Sequence, residues 1–378
     1  MGNNFASLHQ GLPDRLRCAF LTGWENSWRN LMMRAKYLLM WAQRIVYPDV
    51  FCIPYWLGWK CDFIRNGARF NLDNYDFILS ELNAGVGHLD YLRELIKVHP
   101  EKIIILPGPP EIFESYATQE ARGRAIWTLR KAGHIWAYSE EVAKFANDYA
   151  QKEVARLIPW PFDYAGTRHR GRNSEVNHHG EIRVLIGAPM RFVGIAENSP
   201  HFLEKCLAEA LTSMVSAARE RFKFYGMVYT QEDEIAWRQT EFGNRIGVLL
   251  EPRKRYLKFL RFVDSCDAVI TLPRFSILGR ITFIAAALGK PGIFTDNIEL
   301  NRRLYPGSLA SSPVDEKLRN LVHGLLCGLL SLGPVARFLP DAQAAQEIGN
   351  FSGNAAKVRE MLCAEYSNQK HALLPNCQ

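Results

Sequence analysis

The segment Pro273 to Thr295, PRFSILGRITFIAAALGKPGIFT, has the residue types and order of an anion-binding turn. Just before it, Asp267 to Leu272 is a short β-branched run of the kind that makes a buried parallel strand. Ser276 to Leu288 can then form a helix ended by Gly289. A helix that starts directly after a strand presents unpaired N–H groups and the positive end of its dipole, which suits a diphosphate. Ser276 to Gly279 is therefore the expected phosphate turn, with Arg274 and Arg280 as candidate countercharges.

Other chemistries find less support. The 8 cysteines include no CxxC pair, so neither a zinc knuckle nor a thioredoxin-type centre is written here, and free thiols in a reducing compartment are expected. His178 and His179 are adjacent in a polar stretch without partners at chelating spacing, so no metal site is expected. LTGWENSW and IGAPMRF each carry one glycine where a dinucleotide fingerprint needs three, and no P-loop is present. The net charge of +7 calls for anionic company, whether nucleotide phosphates, anionic lipid or nucleic acid. RHRGR (168–172) and RKRYLKFLR (253–261) read more readily as solvated faces than as sites.

The first residues lack the basic and apolar regions of a secretory signal. Trp28 to Ile45, interrupted by Arg29, Arg34, Lys36 and Arg44, reads as an amphipathic helix, and Asn320 to Ala336 is about one turn short of a span. Core packing is expected for both. A cytoplasmic location follows, with peripheral contact at a membrane surface left open.

These residues must be positioned by a chain of 378 residues, more than one hydrophobic core usually supports. From Arg17 to Pro161, apolar runs (CAFLTG, VFCIPYW, YDFILSEL, KIIILPG, HIWAYS, ARLIPWP) alternate with helical stretches such as Leu89 to Val98 and Glu140 to Lys152. Asp163 to Gly180 loses apolar periodicity and reads as an exposed connector. The alternation restarts at Ile182, and Asn354 to Ser367 reads as a terminal helix. Parallel neighbours need crossover helices, so the expected fold is α/β with two Rossmann-like domains. Their boundaries fall at 1–162, a linker at 163–181, a second domain at 182–340 and a tail at 341–378. The carboxyl ends of both sheets are expected around an interdomain cleft.

The order of segments resembles the GT-B glycosyltransferases, especially the group-1 type that uses a nucleotide-sugar donor. HIWAYSEEVAKFANDYAQKEVARLIPWPFD is similar to the segment that closes their first domain, and VLLEPRKRYLKFLRFVDSCDAVITLPRFSILGRITFIAAALGKPGIFTD to their donor-binding half. The resemblance implies sugar transfer from a nucleoside diphosphate to an acceptor hydroxyl, without a metal or other cofactor. It implies that Arg191, after the strand ending at Gly187, faces the donor phosphates, that Gly187 allows close backbone approach, and that the base lies near Leu250 and Glu251. Glu111, after ILPGPP, and His88, in NAGVGHL, become the candidate catalytic bases, with Glu25 a third, since deprotonating a hydroxyl needs a carboxylate or imidazole in reach.

The sequence departs from the family where its two glutamates, eight positions apart, fall at Ser276 and Ile284. Isoleucine cannot accept a hydrogen bond from a donor ribose, so ribose is held differently, the donor is unusual, or no donor binds. The expected acceptor is a glycan, glycolipid or small molecule of cell-envelope or secondary-metabolite chemistry. Two alternatives stand beside it: a phage-type enzyme acting on hydroxymethylated pyrimidines in DNA, and a GT-B-like binding or scaffold protein without donor chemistry.

Overall fold

The computed structural model describes residues 17–22, 31–32, 34–36, 38–39, 53–82, 86–108, 118–172, 180–186, 199–228, 231, 234–235, 238, 247–252, 254–272, 279–310, 316–331 and 335–373. The chain divides into two compact units, one of Met1–Asp163 with Gly349–Gln378 and one of Tyr164–Ile348.

In the first unit, β1 (Arg17–Thr22), β2 (Lys60–Arg65), β3 (Phe77–Glu81), β4 (Ile103–Leu106), β5 (His134–Ala137) and β6 (Ala155–Leu157) form one parallel sheet in the order β2-β1-β3-β4-β5-β6. Ile103, Ile104 and Ile105 are fully buried, as a parallel strand covered on both faces must be. The helices are α1 (Ile53–Leu57), α2 (Val86–Val98), α3 (Gln119–Lys131) and α4 (Glu140–Ala150). Thr118 and Ser139 cap α3 and α4, each hydroxyl accepting at 3.2 Å from the amide three residues on. Leu89, Leu92, Ala125, Leu129 and Ala146 from these helices pack with Ile78, Ile103 and Ile105 of the sheet.

One expectation is corrected here. The run VFCIPYW is not a strand over its described part: Ile53–Leu57 is the helix α1, because Pro54 has no N–H for a ladder and fits a first helical turn. The strand comes afterwards, in KCDFIR. The described residues between 31 and 39 are helical, but Leu31, Met32, Leu38 and Leu39 are exposed and do not enter a core. Arg34 Nη2 donates to the Phe63 carbonyl of the edge strand β2 at 3.1 Å.

The second unit begins with α5 (Tyr164–Gly171), where a connector was expected. Its sheet comprises β7 (Ile182–Ile186), β8 (Phe222–Val228), β9 (Leu249–Pro252), β10 (Ala268–Thr271), β11 (Gly292–Thr295) and β12 (Leu309–Ala310), in the order β12-β11-β10-β7-β8-β9. The helices are α6 (Ser199–Thr212), α7 (Ser216–Arg219), α8 (Tyr256–Asp264), α9 (Arg280–Ala287), α10 (Glu299–Leu304), α11 (Glu316–Leu330) and α12 (Ala342–Ile348). α6 and α11 cover one face, burying Leu203, Leu207, Leu321 and Leu325 against Val184, Phe224 and Ile270. The apolar stretch around 320–330 is therefore core, and no helix among the described residues is long and apolar enough to cross a membrane.

The last helix, α13 (Phe351–Leu373), belongs to the first unit and packs on α1. Arg359 Nε donates to the Leu57 carbonyl at 3.1 Å, and the rings of Phe351 and Tyr55 lie 6.5 Å apart.

Candidate functional site

In the second sheet the chain runs outward from β7 through β8 to β9, then returns to place β10 on the other side of β7. β7 and β10 are parallel neighbours, with Val184 opposite Ala268 and Ile186 opposite Ile270. Winding reverses between them, and the carboxyl ends of two strands that diverge in this way leave a crevice suited to a ligand. The segments that follow these two strands in sequence are the two anion-binding candidates. Gly187 and Arg191 follow β7 directly, and Arg274 and Ser276 follow β10; all four lie outside the described residues, as do Glu111 and Glu25.

The described side of this site is the start of α9. Gly279 precedes the helix in the left-handed region (φ 53, ψ 37), which a side chain rarely adopts. A Cβ there would also come within 2.7 Å of Leu300 Cδ2 in α10, so both backbone and packing call for glycine. Arg280, the first helical residue, is exposed. Beyond it the helix is buried from Thr282 to Ala287, with Ile284 only 2% exposed, and it packs against α5, α8, α10 and α12. Its small alanines allow that close packing.

The far end of α9 closes as the sequence led one to expect. Gly289 is left-handed (φ 71), its amide donates to Ala286 at 3.0 Å, and the Lys290 amide donates to Ala285 at 2.9 Å. This pair of bonds satisfies the terminal carbonyls and releases the chain into Pro291 and β11. At the carboxyl end of β11, buried Asn301 of α10 donates from Nδ2 to the Thr295 carbonyl at 2.9 Å, with Thr295 Oγ1 at 3.3 Å. Asn301 thus holds α10, whose Leu300 in turn closes on Gly279. Leu300 and Asn301 were not singled out from the sequence; the polar TDN directly after an apolar strand was the available signal.

Leu250 and Glu251, expected near the base, lie on β9 at the edge of the sheet. Leu250 packs partly buried on the core, and Glu251 Oε2 pairs with Lys254 Nζ at 2.5 Å. Among the described residues no three His, Cys, Asp or Glu side chains converge to hold a metal.

In the first unit winding reverses between β1 and β3, and α2 starts just after β3 with His88 in its first turn. His88 is 2% exposed and its Nε2 lies 2.9 Å from Ser80 Oγ on β3. The Ser80 hydroxyl points toward the Glu81 carbonyl at 3.3 Å, leaving its oxygen to accept from a neutral imidazole. Burial lowers the His88 pKa to about 4. That bond ties the first turn of α2 to β3.

No family model matches the chain, and no curated protein matches it by sequence. Solved structures do. Sucrose-phosphate synthase from Thermosynechococcus elongatus superposes with a TM-score of 0.63 at 13% identity, over 94% of this chain and 100% of that one. HepE of Anabaena, solved in complex with UDP and glucose, gives 0.62 at 12% identity over 92% and 100%. WaaG, a glycosyltransferase involved in lipopolysaccharide biosynthesis, gives 0.53 at 10% identity over 92% and 98%. The fold is that of the GT-B glycosyltransferases, α/β with two Rossmann-like units.

Two outcomes follow from this geometry. Gly279→Ala should destabilise by about 2 to 4 kcal/mol, combining left-handed backbone with overpacking against Leu300. Gly289→Ala, whose Cβ would meet nothing within 4 Å, should cost only the backbone share, about 1 to 2 kcal/mol; thermal melts of the two variants check the difference. For His88 the unfolded imidazole takes up a proton near its ordinary pKa of 6.5 while the folded one resists until about 4. Its neutral form thus supports the fold fully above that upper value, and stability should fall by about 3 kcal/mol as pH drops through the window. Denaturant melts at a series of pH values should show a shallower decline in that window for His88→Gln.

Proposed function

We propose that the protein transfers a sugar from a nucleoside-diphosphate donor to an acceptor hydroxyl. The observation that carries this is the reversal of winding between the neighbouring parallel strands β7 and β10. In this reading the diphosphate is received at Ser276, Gly279 and the start of α9, where the positive end of the helix dipole favours an anion. Arg191, Arg274 and Arg280 supply countercharge, and Gly187 lets the backbone approach. Together they stabilise the leaving diphosphate as negative charge builds on it, a task that asks for no metal or other cofactor. The nucleoside base extends toward Leu250 and Glu251.

Glu111 acts as the base that accepts the proton of the acceptor hydroxyl. His88, neutral and bonded to Ser80, fixes the start of α2 on β3. The acceptor is a glycan, glycolipid or small molecule. The complex of HepE with UDP and glucose favours a uridine donor among the nucleotides to be tried.

A second reading, a binding protein without donor chemistry, is favoured by Ile284, which is buried inside α9 and offers no hydrogen-bonding group. Thermal shift with UDP, GDP, ADP, dTDP and CMP separates the two. A nucleotide at about a hundred times its dissociation constant stabilises by about 2.7 kcal/mol, worth about 2 to 4 °C per kcal/mol at this size. Stabilisation by one of the five, reduced in Arg280→Ala, supports the transferase reading. No shift with any of them puts the binding-only reading first.

A further inference from the structure

We propose that the surface formed by α5 and α8 binds the phosphate backbone of a nucleic acid. The two basic runs lie more than eighty residues apart in sequence, and each alone would pass for a solvated face. The fold brings them together, because α5 and α8 pack against each other within one unit. Arg168 and Arg170 of α5, with Arg172 just past its end, thereby join Lys258 and Arg261 of α8, with Arg255 at its N-cap, on helices that at ordinary interhelical distance lie about 8 to 10 Å apart. Arg172, Arg255, Lys258 and Arg261 are exposed.

Charge of the opposite sign is scarce on these helices. Their one carboxylate is Asp264, with Lys290 Nζ 3.6 Å from its Oδ1, and Glu251 beside the surface pairs with Lys254. The exposed Glu347 of α12, which packs on α5, marks an acidic border.

Two features choose a polynucleotide over an anionic bilayer. None of the exposed large apolar side chains among the described residues lies on α5 or α8, whereas a helix lying on a membrane inserts such groups. The cations are predominantly arginine, whose planar fork matches phosphate oxygens in pairs. This inference does not depend on the sugar-transfer reading.

Fluorescence anisotropy of the full chain with a fluorescein-labelled oligonucleotide, single-stranded and duplex, tests it between about 50 and 200 mM salt. Saturable binding should weaken steeply with salt. Arg255→Gln/Lys258→Gln/Arg261→Gln should lose about tenfold or more in affinity and lower the slope of log K against log salt by about 2 to 3. A charge-matched set in the other unit, Lys97→Gln/Lys131→Gln/Lys144→Gln, should change neither, and thermal melts verify that both triples fold. Absence of saturable binding overturns the proposal. So does equal weakening by the two triples, or tighter binding to phosphatidylglycerol vesicles than to the oligonucleotide.

Discussion

The second unit is organised around burial of α9. A helix with apolar and alanine side chains inward on nearly every side has no face to give to water, so four neighbouring helices must close around it. Its two ends are then fixed by backbone rather than by side chains, through left-handed glycines at 279 and 289. The consequence is directional. With its body enclosed and its far carbonyls satisfied, the helix has its exposed first residue, Arg280, on the side where the chain arrives from β10.

The supporting contacts act in series. Asn301 fixes α10 to the end of β11, Leu300 of α10 fills the space that a side chain at 279 would need, and Gly279 sets the angle at which α9 departs. A change at any of these positions reaches the mouth of the site without touching a ligand. The first unit uses a different device for the same purpose, a buried imidazole bonded across a strand–helix turn, which makes that turn sensitive to acid.

Much of this was legible in sequence where local chemistry and tertiary structure agree. The β-branched DAVITL, the alanine-rich helix, Gly289 and Pro291 each favour the conformation they adopt, so the β10–α9–β11 unit could be read directly. Where the two disagree the reading failed. α5 has arginine, histidine and glycine but no apolar stripe, and its helix is held by packing: Gly171 sits so close to Leu288 that a Cβ would meet it at 2.5 Å. VFCIPYW has strand composition, and Pro54 outweighs it. The return of α13 to the first unit rests on long-range contacts such as Arg359 with Leu57, which no local pattern announces. For the site, the glycines that bound α9 were legible, but the support from Leu300 and Asn301 was not, because ordinary residue types carry it.

The central claim is that the crevice between β7 and β10 receives a nucleoside diphosphate. Hydrogen exchange measured by mass spectrometry, with and without UDP, tests it most directly. The account predicts that protection gained on binding is concentrated in peptides spanning 187–198 and 273–281, the segments that follow those two strands in sequence. Protection confined to other strand ends, or none at saturating UDP and at saturating concentrations of the other nucleotides, would contradict it.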